Sequence, residues 1–319
     1  MSLGEFDLIG KYFTRDVRRA ALGIGDDCAL LAPSAGMQVA VSSDMLVEGR
    51  HFLSTVAPDR LGHKALAVNL SDLAACGAQP LGFTLALALP RADEVFLEGF
   101  ARGLFALAEA QGIELVGGDT TQGPLNICIT AMGEVPPGQA LLRSGARAGD
   151  DLYVSGTVGD ARLALEVFRG QLALDATAFE SVRAAMEQPQ PRVALGLALR
   201  GIATSAIDVS DGLLGDLGHV LRRSGVGAVV DVDAVPRSAV LAAQSLAWQR
   251  ECTLAGGDDY ELIFTAAPAS ADAVQAAARR AGVAATRIGR IEAGAALRLV
   301  DSSGRQVPHT FGSFDHFRS

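Results

Sequence analysis

Aromatic residues are scarce in this sequence: they make up 5% of its 319 positions, so its cores must be built from Ala, Leu, Val and Ile. The four cysteines are far apart and form no CxxC pair, which excludes zinc and redox sites of that type. No apolar run of membrane-spanning length occurs, and residues Met1 to Phe13 contain no apolar stretch of the kind a secretory signal needs. We therefore expect a cytoplasmic protein that neither spans nor binds a membrane.

Basic residues are in the minority, since 27 Lys and Arg stand against 36 Asp and Glu, for a formal charge of −9. This balance argues against a nucleic-acid partner, because affinity for a phosphate backbone comes from clustered basic side chains. An anionic substrate would have to be held by metal ions or by a local arginine. Neither a GxxxxGK[ST] P-loop nor the HRD and DFG motifs of protein kinases are present, and no general base can be identified.

The length of the chain favours two domains, because single hydrophobic cores rarely grow beyond roughly 250 to 300 residues. In both halves a strand is followed by a Gly/Ser/Asp turn and then by a helix, which predicts an α/β (or α+β) class with two layered domains. Turn-forming residues cluster at Pro136-Pro137-Gly138 and over 143–150. We place the boundary there, with domains over 1–148 and 149–319.

Carboxylates follow glycines or the ends of predicted strands at many places. The strand predicted over Gln38 to Ser43 ends on Asp44, and a short strand at Leu115-Val116 runs into Gly117-Gly118-Asp119. Glycine allows the backbone to approach a ligand closely, and carboxylates bind hard cations, so this pattern is typical of phosphate and Mg²⁺ sites. The full set comprises Asp26, Asp27, Asp44, Asp119, Asp208, Asp211, Asp258 and Asp259.

Asp72 lies on a helix predicted over Pro58 to Gly77, on the same face as Ala65 and Val68. A carboxylate on a face that should be buried needs a partner or a metal, and Asn69 could orient it. Any single Gly-Asp motif is more often a plain turn. Several independent acidic sites in one acidic chain nevertheless favour a multi-metal site.

Phosphate groups would also need direct contacts. Arg143 stands beside small residues and could clamp a phosphate bidentately, although a solvated loop arginine is an equal alternative. The segment Gly156-Thr157-Val158-Gly159 precedes a predicted helix whose N-terminus could cradle an anion, which on its own is a weak signal.

A series of motifs resembles the thiamine-monophosphate kinase family, in order from residue 4 to residue 317. They are Gly4-Glu5-Phe6, Gly23 to Ala29, Ser42-Ser43-Asp44 with Glu48 to Phe52, Asn69 to Ala74, Gly117 to Thr121, Arg143-Ser144-Gly145, Ile207 to Gly212, Gly256 to Leu262 and Phe314 to Phe317. Each motif is short, but their ordered succession is specific.

This resemblance implies a fold like that of aminoimidazole ribonucleotide synthetase, with an N-terminal α/β domain that pairs in a homodimer and a C-terminal α/β domain. It implies that ATP and thiamine monophosphate give ADP and thiamine diphosphate by direct in-line phosphoryl transfer, with several Mg²⁺ ions between the two phosphates. The nucleophile is a phosphate oxygen that is already ionised at neutral pH, which agrees with the lack of a general base.

The resemblance also implies roles for individual residues, with Asp26 orienting the Mg²⁺ ligands. The expected Mg²⁺ ligands are Asp27, Ser42, Ser43, Asp44, Asp72, Asp119, Asp208 and Asp211. Gly118, Asp119, Arg143 and Ser210 would hold ATP, and His51, Asp258 and Phe314 would face thiamine monophosphate. Two positions depart from the family: Asp258 stands where Glu is common, and Phe314 where Trp or Tyr is common.

Two alternatives remain. The first is a sibling enzyme of the same fold, such as a purine-pathway synthetase, a hydrogenase-maturation protein or a selenophosphate synthetase. The last two need a functional cysteine, whereas this chain ends without one and Cys28 is interpreted as a small core residue. The second alternative is a non-catalytic nucleotide or thiamine-phosphate sensor, which would be expected to have lost several of these carboxylates.

Overall fold

The computed structural model describes residues 4–308 and 311–312, which form two compact units. The first unit contains residues 4–73 and 78–138, and the second contains 74–77 together with the described residues from 139 onward. Each unit has its own β-sheet and its own helices, so the predicted α/β class is confirmed. In the part of the chain that the structure describes, every helix is too short or too polar to cross a membrane.

The first unit is built on a four-stranded sheet of order β1-β4-β2-β3, in which β2 and β3 are parallel and the other pairs antiparallel. Its strands are β1 (Gln38–Val47), β2 (Gln79–Leu89), β3 (Glu114–Gln122) and β4 (Asn126–Val135). Its helices are α1 (Glu5–Leu8), continued by a π-helical turn over Ile9–Phe13, α2 (Pro58–Ala75) and α3 (Glu94–Gln111).

Two glycines set how closely α2 and α3 pack. A Cβ atom at Gly62 would lie 2.0 Å from the carbonyl oxygen of Phe100, and one at Gly103 would lie 1.8 Å from the carbonyl oxygen of Asp59. The ends of α3 follow from local chemistry, since the Asp93 side chain accepts a hydrogen bond from the N–H of Phe96 and Gly112 takes the left-handed conformation after the last turn. The backbones of α2 and α3 therefore pack in direct contact.

The two faces of β1 differ in burial. Leu46 is buried, and Ser42 on the same face reaches α2 through its hydroxyl. On the opposite face, Val39, Val41 and Met45 are 50%, 63% and 54% exposed. A strand normally shows its polar side chains to water and its apolar side chains to the core, so β1 carries an uncovered apolar face.

The second unit is built on a seven-stranded mixed sheet of order β11-β10-β7-β9-β5-β8-β6, in which only β10 and β7 are parallel among the described pairs. Its strands are β5 (Asp151–Ser155), β6 (Ala203–Asp208), β7 (Gly227–Asp231), β8 (Leu262–Ala266), β9 (Ala285–Glu292), β10 (Leu297–Val300) and β11 (Gln306–Val307). Its helices are α4 (Asp160–Phe168), α5 (Ala176–Glu187), α6 (Val193–Ala198), α7 (Leu213–Ser224), α8 (Ala239–Ala242), α9 (Leu246–Ala255) and α10 (Ala271–Ala281), with a 3₁₀ turn over Pro268–Ser270.

Two apolar clusters support this unit. Helix α7 buries Leu213, Leu217 and Val220 against the sheet, at the spacing expected for one face of a helix. A separate cluster joins α4, α5 and α9 through residues such as Val182 and Cys252. The first cluster fixes the start of α7 at the end of β6, where several candidate site residues lie.

Two strand ends differ from the prediction. The prediction that the first strand ends on Asp44 is wrong, because β1 continues to Val47 and pairs with β4 along its whole length. Likewise Gly118 and Asp119 lie inside β3, which runs to Gln122 beside β2, and not in a turn after it. Aspartate and glycine favour turns locally, but the pairing with neighbouring strands outweighs that preference here.

Candidate active site

In the first unit, hydrogen bonds join the middle of β1 to the last part of α2. The Ser42 hydroxyl donates to the carboxylate of Asp72, and the backbone N–H of Asp44 donates to Asn69 Oδ1 over 3.1 Å. Asn69 is itself held by donating from Nδ2 to the carbonyl oxygen of Ala65, 3.2 Å away. Asp72 is half-buried, and Asp44 shares the face of β1 that carries Ser42. The structure thus joins Ser42 to Asp72, and it joins the backbone of Asp44 to Asn69, the residue expected to orient Asp72.

Ser43 lies apart from this group. Its hydroxyl is 2.9 Å from that of Thr130 and donates to the carbonyl oxygen of Ile129 over 3.2 Å, both on the neighbouring strand β4. Because successive side chains of a strand alternate between faces, Ser43 stands on the opposite face from Ser42 and Asp44. Its side chain therefore joins the open apolar face, and its role as a Mg²⁺ ligand stays a prediction.

Asp27 lies on an exposed loop that is closed where Leu30 donates to the carbonyl oxygen of Leu22 over 3.0 Å. The carboxylate of Asp26 accepts a hydrogen bond from the backbone N–H of Asp27 over 2.9 Å. Asp26 thus orients its neighbour, and the Asp27 side chain stays accessible. The interpretation of Cys28 as a small core residue is wrong, because this side chain is exposed.

Gly118 and Asp119 lie where β3 runs beside β2. Gly118 has φ +149°, and a Cβ atom there would lie 1.9 Å from the carbonyl oxygen of Leu85. Only glycine fits this close approach of two backbones. Asp119 follows in register with Ala86, and its side chain is exposed.

His51 lies in a tight turn after β1. Its Nδ1 accepts a hydrogen bond from the backbone N–H of Val47 over 3.0 Å. In the neutral imidazole this leaves the proton on Nε2, which makes that nitrogen a hydrogen-bond donor. The turn thus favours the tautomer with its proton on Nε2, which can donate a hydrogen bond to an anionic ligand.

In the second unit, β6 ends at Asp208, which is 4% exposed, and the chain enters α7 through a short loop. One carboxylate oxygen of Asp216, in the first turn of α7, accepts hydrogen bonds from the N–H groups of Ser210, Asp211 and Gly212 over 3.0, 3.1 and 3.1 Å. Burial raises the pKa of Asp216 to about 7. Two predicted site residues, Ser210 and Asp211, thus stand on a loop tied to a buried carboxylate.

The segment from Gly256 to Glu261 pairs with this loop. The N–H of Asp258 donates to the carbonyl oxygen of Ser210, and the N–H of Tyr260 donates to that of Val209, both over 2.8 Å. Asp258 and Tyr260 have φ of 70° and 53°, in the left-handed region that non-glycine residues seldom adopt. Such strained positions concentrate at functional sites. The structure therefore brings Asp258 beside Ser210.

Two further carboxylates anchor this segment. Both oxygens of Asp259 accept from the N–H of Gly159 over 2.9 Å, and burial raises the pKa of Asp259 well above its usual range. The buried Glu261 accepts from Arg192 Nε over 2.7 Å and from the Ser155 hydroxyl over 2.5 Å. These bonds hold both ends of the strained stretch.

The hypothesis that Gly156 to Gly159 cradles an anion is wrong. The N–H of Gly156 donates to Ala284 and that of Val158 to Pro236, while that of Gly159 is held by Asp259. Three of the four N–H groups of the segment are thus used within the unit, and the one at the start of α4 is already bound by the Asp259 carboxyl group.

Arg143 is exposed on the loop that leads into the second unit. The hydroxyl of Ser224 donates to the Arg143 carbonyl oxygen and accepts from the N–H of Ala146, each over 3.2 Å. The pKa of His219 is lowered by partial burial and by neighbouring arginines that include Arg143, while Asp211 acts to raise it. Arg143 and Asp211 therefore lie near the same imidazole, at one end of the unit.

The candidate residues are divided between the two units, and Phe314 lies outside the described residues. Within residues 4–308 and 311–312, no three His, Cys, Asp or Glu side chains are close enough together to hold a metal ion by themselves. The sequence analysis missed the supporting roles of Asp216 and Glu261. Asp216 could have been found as an acidic residue in the first turn of a predicted helix. Glu261 carried no such signal, because its partner Arg192 is far away in the sequence.

Comparison with known proteins agrees with the family resemblance that the sequence motifs indicate. The family model described as AIR synthase related protein matches with its N-terminal domain over residues 25–135 and its C-terminal domain over 147–302. The thiamine-monophosphate kinase of Salmonella typhimurium is 45% identical over 327 aligned positions, covering 99% of each chain.

Solved structures are similar as well. A crystal structure of thiamine-monophosphate kinase from Stenotrophomonas maltophilia is 48% identical, with a TM-score of 0.86, over 96% of this chain and 99% of that one. The structure of AaThiL complexed with AMPPCP and TMP is 28% identical, with a TM-score of 0.76, over 90% of this chain and 89% of that one.

Proposed function

The chain belongs to the thiamine-monophosphate kinase family and is an enzyme that uses ATP to phosphorylate thiamine monophosphate, and we propose that it does so by direct in-line transfer assisted by several Mg²⁺ ions. An oxygen of the thiamine monophosphate phosphate attacks the γ-phosphorus of ATP. A new P–O bond forms as the bond from the γ-phosphorus to the bridging oxygen of ADP breaks. Thiamine diphosphate and ADP are the products, and no covalent enzyme intermediate is needed.

The observation that carries this mechanism is the pair of hydrogen bonds between β1 and α2, which join Ser42 to Asp72 and Asp44 to Asn69. Donor and acceptor are both anions, and the chain itself has a formal charge of −9. Repulsion between the two phosphates is the main obstacle to such a reaction, and hard cations are the usual means of reducing it. The attacking phosphate is already ionised near neutral pH, so the chain's residues have no proton to remove.

The donor chemistry fits Mg²⁺. Carboxylate and hydroxyl oxygens are its preferred protein ligands, and the Ser42–Asp72 pair with Asp44 offers both kinds on one side of a sheet. When bound, Mg²⁺ supplies positive charge that screens the phosphates and stabilises the transferring group. The residues proposed to hold it are Asp27, Ser42, Asp44, Asp72, Asp119, Asp208 and Asp211, together with Ser43, which could take part only through its backbone because its side chain lies on the other face of β1.

The remaining residues are proposed to bind the two substrates. Gly118, Asp119, Arg143 and Ser210 are proposed to contact the ATP phosphates. His51 offers Nε2–H as a donor to the phosphate of thiamine monophosphate. Asp258 is proposed to contact the same substrate, as is Phe314, which is outside the described residues. In this account the protein's own groups orient both substrates.

We further propose that the enzyme is a homodimer formed through the open face of the first sheet. Val39, Val41 and Met45 expose apolar surface side by side on one strand, next to Ser43 and Thr130. A second copy of the chain is the occupant that this face fits, because an identical apolar face would cover it symmetrically.

We place the enzyme in the cytoplasm. All four cysteines (Cys28, Cys76, Cys128 and Cys252) are free thiols, which is the usual state of cysteine in a reducing compartment.

Chromatographic analysis of a reaction with ATP, Mg²⁺ and thiamine monophosphate tests this function. We expect thiamine diphosphate to form only when Mg²⁺ is present and only from the monophosphate, with EDTA and free thiamine as controls. ATP hydrolysis without thiamine diphosphate would instead indicate a sibling enzyme of the same fold. A folded, Mg²⁺-saturated protein that consumes no ATP would indicate a sensor.

A further inference from the structure

The loop between β6 and α7 is held on its N–H side by one side chain. Asp216 Oδ2 accepts from three successive backbone N–H groups, those of Ser210, Asp211 and Gly212, at 3.0 to 3.1 Å. Asp216 is 3% exposed, and its position in the first turn of α7 is fixed by the buried leucines on the same helix. The N–H groups of the loop are therefore directed at the protein interior.

The same loop is held on its carbonyl side by the segment that carries Asp258. The carbonyl oxygens of Val209 and Ser210 accept from Tyr260 and Asp258, each over 2.8 Å. The contact is too tight to accept an added side chain, since a Cβ atom at Gly257 would lie 2.3 Å from the Ser210 carbonyl oxygen. Because the packing is this tight, a movement of the loop backbone would be passed on to the segment that carries Asp258.

We propose that Asp216 is a positioning residue for phosphoryl transfer: through three N–H groups it sets the Ser210–Asp211 loop, and through the Ser210 carbonyl it sets Asp258. This inference rests on the proposed function, in which Ser210 and Asp211 contact nucleotide and Mg²⁺ and Asp258 contacts thiamine monophosphate. Asp216 itself touches neither substrate. It joins the two substrate-binding parts of the second unit into one rigid piece.

The physical reason lies in the backbone N–H groups of the loop. Successive free N–H groups attract phosphate and other anions. Here Asp216 occupies the three N–H groups of the loop before α7, so the loop offers a ligand the side chains of Ser210 and Asp211 in place of its N–H groups. Without Asp216 the loop would be free to turn its N–H groups towards phosphate, which would displace the side chains that the reaction needs.

Kinetics at pH 8 with two variants tests the proposal. Asp216→Asn keeps an oxygen that can accept the same bonds without the full charge, and Asp216→Ala keeps none. Displacement of a positioned group by about 1 Å can cost roughly 100-fold in rate. We expect kcat/KM for ATP to fall about 10-fold in Asp216→Asn and about 100-fold in Asp216→Ala, with a weaker apparent affinity for Mg²⁺.

The matched control is Asp175→Ala, which removes the carboxylate that caps α5 through the N–H of Ala178. Asp175→Ala should lower the melting temperature. At a temperature where the protein is folded, it should leave kcat/KM for ATP and the apparent affinity for Mg²⁺ unchanged. A second readout is independent of activity: amide hydrogen exchange in the ligand-free protein. The exchange rate at Ser210, Asp211 and Gly212, and also at Asp258, should increase from the wild-type protein to Asp216→Asn and further to Asp216→Ala.

Asp216 would be merely a helix cap if Asp216→Ala behaved like Asp175→Ala, with lower stability, normal kinetics and no change in exchange at Asp258. That result overturns the proposal. Failure of the proposed function gives a different result, since the wild-type protein would then form no thiamine diphosphate while the exchange pattern of the variants could still be measured.

Discussion

The Ser42 hydroxyl donates a hydrogen bond to the Asp72 carboxylate, across 30 positions of sequence. The bond joins the middle of a strand to the last part of a helix, and the neighbouring bond from Asp44 to Asn69 repeats the connection at 3.1 Å. Asp72 thus has its orientation set before any ligand arrives. A carboxylate held in a fixed orientation is a suitable ligand for a hard cation.

Asp72→Asn should reduce turnover by at least about 100-fold, a loss comparable to removing one electrostatic contact to a reacting group. The amide can still accept from Ser42, so circular dichroism and the melting temperature should change little. The matched control is Asp59→Asn in the first turn of the same helix. The Asp59 carboxylate is exposed, and its ion pair with Arg102 is long at 3.9 Å. An Asp72→Asn variant with full activity would contradict the proposed Mg²⁺ ligand role of Asp72.

Much of the fold could be predicted because some elements have clear ends. Helix α3 ends before Gly112, and α2 begins at Pro58, as their sequences indicate. Strand β2 was missed because Pro80 and Gly82 resemble turn residues, although the strand pairs on both sides and lies inside the sheet. Such central strands are stabilised by their neighbours, which local sequence does not reveal.

The candidate site was predictable in composition but not in arrangement. Motifs gave the residue types that bind Mg²⁺ and phosphate, because these depend on chemistry alone. The structure shows that alternation along β1 places Ser43 on the opposite face from Ser42 and Asp44. The role of Asp216 depends on three bonds to a loop, and a carboxylate on a helix usually faces water unless tertiary contacts bury it.

Alkylation should distinguish two of the cysteines. Cys28 is exposed beside Asp27, whereas Cys252 is buried and burial raises its pKa to about 12, which leaves about 1 in 10,000 of its thiols ionised at pH 8. Iodoacetamide should therefore label Cys28 rapidly in the native protein and Cys252 only after unfolding, as mass spectrometry would show.

Mg²⁺ with ATP should slow the labelling of Cys28, because the proposed binding through Asp27 would cover this loop. Labelling of Cys252 in denaturant serves as the internal control, and its rate should not depend on ligand. Equal labelling of Cys28 with and without Mg²⁺ and ATP would count against Asp27 as a ligand.

Val41→Asp should convert the proposed dimer into monomers. The new charge would be buried between two apolar faces, at a cost that a modest interface cannot offset. Sedimentation velocity should report about twice the 32.9 kDa chain mass for the wild-type protein and the chain mass for the variant. Val95→Asp is the control, since Val95 is 79% exposed on a helix outside this face. A dimer that survives Val41→Asp would place the interface elsewhere.

Asp216 should make the stability of the metal-free protein depend on pH. Its pKa rises from 3.8 to about 7 on folding, so between these values the folded protein holds a proton that the unfolded chain has lost. The bound proton therefore adds to the free energy of unfolding. This stabilisation is complete below pH 3.8 and is lost as pH rises through 7, at up to about 1.4 kcal/mol per pH unit.

Asp216→Asn cannot titrate, so its stability relative to wild type should increase as pH rises from 4 to 7. Urea unfolding in EDTA at several pH values measures this difference. Parallel curves for the two proteins would show that Asp216 ionises normally in the folded state.

The central claim is that the γ-phosphoryl group passes directly from ATP to the phosphate of thiamine monophosphate. The most direct measurement uses ATP labelled with ³²P in its γ-position, together with Mg²⁺ and thiamine monophosphate, followed by chromatographic separation of the products. We predict that the label appears in thiamine diphosphate, in an amount equal to the ADP formed, with none bound to the protein. Label found mainly as inorganic phosphate, with thiamine monophosphate unchanged, would contradict the account.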